Sequence, residues 1–235
     1  MEILLADVRY IEKLNDAFGQ DYTILPTVCC PLLAPPVCAH PDMVLFDFGD
    51  GTVICAPEVF SYYETLLSPY GVKLVQGKTL LKSHYPKDVA YNVARAGKSL
   101  LGHPAAVDAL ILRMAEEKGF SFFATKQGYA KCSSCIVSDD GLITADPSIA
   151  RSAKNAGKDV LLIAQTDISL PGYNCGFFGG ATGLTARREL LVFGSLESHP
   201  DEIAIYNFCE KHGVRVRDIN GKPLTDIGTV MSIVV

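Results

Sequence analysis

Four prolines are each followed by a glycine at helix length: Pro57 by Gly71, Pro104 by Gly119, Pro147 by Gly157 and Pro200 by Gly213, gaps of 14, 15, 10 and 13 residues. Proline in the first helical turn loses no hydrogen bond, and glycine just past a helix tolerates a left-handed backbone, so each pair brackets a helix. Before each proline stand two short apolar runs: 43–48 and 52–55, 90–94 and 99–101, 134–137 and 142–144, 176–178 and 189–193. After each glycine comes one more: 72–75, 120–123, 160–163 and 214–216. The order strand, strand, helix, strand thus recurs four times, and such a period constrains a fold more than any single motif.

The N-terminal segment repeats the pattern with its first strand missing. Residues 2–6 read as a buried strand and Asp7 as a helix cap. Val8, Ile11, Leu14 and Phe18 share a helical face, Gly19 ends it, and 22–25 is a second strand. Residues 229–235 form a strand with no helix after it. That lone strand supplies what the first unit lacks, so the chain closes into a ring of five units. The sequence therefore reads as α/β, a five-bladed β/α propeller. No low-complexity linker separates the units, so residues 1–235 read as a single domain.

Composition narrows the partners. Half of the chain is apolar (49%) and the formal net charge is −5. This is a globular composition without a basic run, which argues against nucleic acid. No apolar stretch reaches membrane-spanning length. Residues 1–7 carry neither a basic start nor a cleavage signature, so a cytoplasmic location and mostly reduced thiols are expected of the eight cysteines.

The stretch 171–183 is the most glycine-rich and holds Asn174-Cys175-Gly176. His40-Pro41-Asp42 precedes the second unit, and Asp88 and Asn92, in the segment Tyr85 to Asn92, precede the third. These motifs, with the five-unit pattern, resemble the pentein fold of guanidino-group-modifying enzymes. That fold includes arginine and agmatine deiminases, dimethylarginine dimethylaminohydrolase and a ribosome anti-association factor without catalysis. Within it, the chain resembles an uncharacterised bacterial branch. It departs from the deiminases in lacking their Glu-Gly-Gly-Asp segment and in placing His-x-Asp in an early unit.

The resemblance implies that the starts of the first strands converge on a central channel. They hold His40 and Asp42, Asp88 and Asn92, Cys132 and Cys135, Asn174 and Cys175, and Asp226 and Gly228. It also implies a chemistry: carboxylates grip a guanidinium, a thiolate attacks its central carbon and a histidine moves the protons. Cys175 is the candidate nucleophile or else a buried core thiol. His40 is the candidate acid–base group or else a residue fixed by its turn. Asp42, Asp88, Asn92 and Asn174 are the candidate substrate contacts. His84 is a weaker second choice, and His103, His199 and His212 sit at helix ends. Cys132 and Cys135 form a Cys-x-x-Cys on a strand, unlike the helix-opening pair of redox proteins, and no second spaced pair completes a zinc site. No cofactor or metal is expected. The expected function is a cysteine-dependent hydrolase or transferase of a cationic guanidino or amidino compound. The alternative is a silent pentein that binds a small ligand or a protein partner.

Overall fold

The repeat becomes five three-stranded sheets in the computed structural model, which describes residues 1–197, 199–219 and 221–235. The first unit contributes β1 (Glu2–Ala6), α1 (Ile11–Phe18) and β2 (Ile24–Pro26). A single helical turn, α2 (Pro41–Val44), opens the second unit, with β3 (Leu45–Asp47), β4 (Thr52–Cys55), α3 (Phe60–Leu67) and β5 (Lys73–Gln76). The third holds β6 (Ala94–Ala96), β7 (Ser99–Gly102), α4 (Ala109–Glu117) and β8 (Ser121–Ala124). The fourth holds β9 (Cys135–Ile136), β10 (Gly141–Thr144), α5 (Pro147–Asn155) and β11 (Asp159–Leu162). The fifth holds β12 (Thr182–Leu184), β13 (Glu189–Val192), α6 (Glu202–Lys211) and β14 (Arg215–Asp218), and β15 (Met231–Val234) follows.

In every sheet the middle strand pairs antiparallel with one neighbour and parallel with the other. A parallel pair needs a crossover, and the helix supplies it. The ring closes as the sequence implies: β1 pairs antiparallel with β15, Leu4 opposite Ser232, and parallel with β2, Leu4 opposite Ile24. The middle strands β4, β7 and β10 are buried along their whole length, whereas the ends of β5 and β8 are exposed. The first strands β3, β6, β9 and β12, together with β15, line a channel cavity of about 130 Å³. Each sheet therefore runs outward from the axis to the helices. The closing glycines Gly71, Gly119, Gly157 and Gly213 all take left-handed φ angles, from 66° to 77°.

Some boundaries move. Helix α4 starts at Ala109, not at Pro104, because the buried Asp108 carboxylate caps it by accepting from Leu110 N at 2.8 Å. The run 176–178 is not a strand. Its backbone is engaged elsewhere, with Gly176 N donating to Ile168 O and Phe177 N to the Asp226 carboxylate, both at 2.8 Å. The fifth sheet instead begins at Thr182, opposite Val192. The expectation of reduced thiols is corrected at one place: the loop between β2 and α2 brings the Cα atoms of Cys29 and Cys38 to 4.7 Å, and the pair is a disulfide. The other six cysteines are free. Among the described residues no helix is long and apolar enough to cross a membrane.

Candidate active site

His40 is the N-cap residue of α2, and Pro41 and Asp42 fill the first turn. Proline at that place fixes the chain direction, so His40 points inward and is wholly buried. Its backbone neighbour is Gly228, with φ at 71°, where an added Cβ would stand 2.2 Å from the His40 Cβ. Only glycine leaves His40 its place. Two residues earlier, Asp226 accepts from Phe177 N at 2.8 Å and from Gly228 N at 2.9 Å. A Cβ on Gly180 would stand 2.0 Å from Asp226 Oδ1. The glycine-rich stretch is therefore the bed on which Asp226 lies.

These elements enclose a cavity of about 140 Å³. His40, Asp226, Cys132 and Cys175 give it its chemistry, and Tyr129, Tyr173 and Phe177 much of its wall. The His40 ring lies between two carboxylates, Nε2 at 3.8 Å from Asp7 Oδ2 and Nδ1 at 3.9 Å from Asp226 Oδ1. Both distances are too long for a hydrogen bond, and both ring nitrogens lack a protein partner. Burial brings the His40 pKa down to about 4 against the pull of Asp7, so the imidazole is neutral at pH 7. Burial pushes Asp226 up to about 6, opposed by the two amides that it accepts from.

Cys175 is partly exposed. Its sulfur accepts from Gln165 Nε2 at 3.2 Å, and its thiol has Thr166 O at 3.1 Å and Gly176 O at 3.2 Å as acceptors. Cys132 is its opposite, buried, donating to Asp42 Oδ2 at 3.0 Å and accepting from Asn92 Nδ2 at 3.0 Å. Burial, first, and the neighbouring Asp42, second, raise that thiol well above its ordinary value, so it stays protonated. Burial also carries Asp42 up to about 8, with Lys131 pulling the other way. Asn92 ties three units together: its Oδ1 accepts from Lys131 N and Cys132 N, and its Nδ2 also donates to Asp42 O.

Of the residues singled out from sequence, Cys175 and His40 come to one cavity. Asp42 and Asn92 lie one layer behind it, bonded to Cys132. Asp88 lies behind the wall, accepting from the Tyr129 hydroxyl at 2.6 Å. Asn174 is exposed on the loop before Cys175. The carboxylate that lines the cavity is Asp226. Its place at a strand start was the signal for it, but one of its two amide partners, Phe177 N, comes from a segment that reads as a strand. Asp7 does cap the turn after β1, accepting from Arg9 N at 2.8 Å, and it faces His40 as well, which no local pattern reveals. Tyr129 carried no signal at all.

Solved structures of guanidino-modifying enzymes share this architecture. A dimethylarginine dimethylaminohydrolase, solved as an adduct with S-methyl-L-thiocitrulline, aligns at a TM-score of 0.58 and 14% identity over 99% of this chain and 98% of its own. An agmatine deiminase from C. jejuni aligns at 0.56 and 8% identity over 93% and 86%. SxtG, an amidinotransferase of the saxitoxin biosynthetic pathway of Microseira wollei, aligns at 0.55 and 11% over 94% and 74%. At such identities the likeness establishes the pentein fold. A comparison with curated proteins finds no match. The profile of a family of unknown function, DUF6873, matches residues 6–231. The chain is accordingly a member of the DUF6873 family, built on the pentein fold.

Proposed function

We propose that this protein is a cysteine-dependent hydrolase or transferase acting on a small guanidino or amidino cation. The observation that carries this reading is the single cavity lined by a partly exposed thiol, Cys175, a neutral imidazole, His40, and a carboxylate, Asp226. The relatives of known structure named above are a dimethylaminohydrolase, a deiminase and an amidinotransferase, which supports the same class.

In this reading Asp226 holds the cation, and Asp88 stands behind the wall on the Tyr129 hydroxyl. His40 accepts the Cys175 proton as the sulfur attacks the central carbon. A C–S bond forms and the C=N electron pair moves to nitrogen. Return of the proton from His40 to the leaving nitrogen lets the C–N bond break and frees the amine. In hydrolysis, water adds to the same carbon, gives its proton to His40, and the sulfur leaves. In transfer, an acceptor amine takes the place of water. The bound cation itself favours the thiolate, since no other positive side chain lines the cavity among the described residues.

A second reading, a silent pentein that binds without turnover, draws on the wholly buried His40 and on the two backbone acceptors held by the Cys175 thiol. One experiment separates the two. Cys175→Ser is expected to abolish turnover of guanidines, at least 1,000-fold, with an unchanged melting curve. Iodoacetamide is expected to label Cys175 before the five other free thiols, and guanidine is expected to slow that labelling. A parent that turns over no guanidine and shows no preferential labelling leaves only the silent reading.

A further inference from the structure

The wall of the cavity has one character. Tyr129 and Phe177 stack with ring centroids 5.8 Å apart and planes 29° apart, and Tyr85 continues the row beyond Tyr129 at 5.9 Å. Leu170 and Val37 close the far side, and Tyr173 stands at the rim. Tyr85 and Tyr173 remain about half exposed, at 49% and 46%; Tyr173 lines the cavity, and Tyr85 stands behind its wall against Tyr129. Such rings accept a flat cation or an apolar chain on their faces.

Among the described residues, charge in the lining is confined to the carboxylate of Asp226 beside the His40 imidazole. Each Asp226 oxygen accepts one backbone amide and keeps a lone pair. The two nearby cationic side chains are engaged elsewhere. Lys131 reaches the channel cavity on the first strands, where its ammonium donates to Thr229 Oγ1 at 2.9 Å. Arg9 uses its guanidinium on both oxygens of Asp7 and on the carbonyls of Pro35 and Pro36. A ligand carboxylate in this slot would lie against tyrosine faces near Asp226 with no counter-ion, an arrangement that buried charge disfavours. A second ammonium would meet an apolar wall.

Resting on the reading above for the cationic head, we propose that the ligand of this cavity is a monocation with an uncharged apolar tail, an alkyl- or arylguanidine or the matching amidine, and not an amino acid such as arginine. The cationic head sits on Asp226 beside His40 and Cys175, and the tail runs out between Tyr173 and the Tyr85–Tyr129–Phe177 row. Tyr173 is then the residue that sets specificity at the rim.

Calorimetric titration of the whole chain at pH 7.5 with butylguanidine, phenylguanidine, agmatine and L-arginine tests this. Both uncharged-tail compounds are expected to bind at least fivefold tighter than arginine and agmatine; a smaller or reversed preference overturns the proposal. Tyr173→Arg, on an exposed residue, is expected to narrow the butylguanidine-to-arginine ratio at least fivefold while the melting curve stays in place. An unchanged ratio also overturns it. The two readings fail separately. Tight binding of phenylguanidine without turnover by the parent removes the catalytic proposal and keeps this one. Tight binding and turnover of arginine does the reverse, and no binding by any probe removes both.

Discussion

Asp42 shows how a single side chain makes the site sensitive to pH. Its carboxyl is wholly buried beside the Cys132 sulfur, and burial raises its pKa from 3.8 to about 8. Between those values the folded chain holds a proton that the unfolded chain releases, so this residue makes stability fall as pH rises. His40 does the opposite between about 4 and 6.5, where only the unfolded chain is protonated, and its contribution is lost as pH falls. Asp226, raised from 3.8 to about 6, acts like Asp42 between those values, its contribution being lost as pH rises. Above pH 6.5 Asp42 acts alone among the three. Urea unfolding is therefore expected to show the parent losing roughly 1–2 kcal/mol between pH 6.5 and 8, a loss that Asp42→Asn removes. An equal decline in parent and variant would mean that another group titrates. The same burial that gives Asp42 this role hides it from sequence: His40-Pro41-Asp42 announces a site, but the layer to which each member belongs depends on Asn92, one unit on, and Cys132, two units on.

Elements were legible where the physics is local. Glycine marks all four helix ends because its backbone preference is intrinsic, and the third strands follow each glycine at once. Of the four prolines, Pro147 alone is the first residue of its α-helix, and α4 and α6 start at Ala109 and Glu202 after Asp108 and Asp201. First strands were harder, as they are two to three residues long in four of the units and their partners lie beyond a turn. The run 176–178 misleads because it is apolar like a strand, while Asp226, 49 residues away, takes the Phe177 amide. β15 was legible as an orphan needing a partner, which β1 provides. Deleting residues 229–235 removes Val230, Met231 and Ile233, all buried, and opens one edge of β1. At about 2 kcal/mol per buried side chain the loss is on the order of 5 kcal/mol, comparable to the whole stability of a modest domain. The truncated chain is expected to show no cooperative melt by circular dichroism; a melt like that of the parent would disprove the closing role of β15.

Across the whole molecule, the five sheets share the channel formed by their first strands, so no unit owns a complete interior. We propose that the chain unfolds as one domain, in a single transition. Far-ultraviolet circular dichroism and tyrosine fluorescence are expected to give coincident urea curves, and separated midpoints would divide the ring into independent parts. The pairing of Glu2 with Val234 also has a meaning in time. During synthesis β1 leaves the ribosome before any other strand of this chain, and β15 leaves after all of them. At translation rates of about 5–20 residues per second the wait is on the order of ten to forty seconds. Through that interval the edge of Ile3, Leu4 and Leu5, completely buried in the finished ring, has no neighbour of its own. The first of these fifteen strands to be made is thus the last to be satisfied, and through that wait its bare edge is open to a chaperone or to a second copy on the same message.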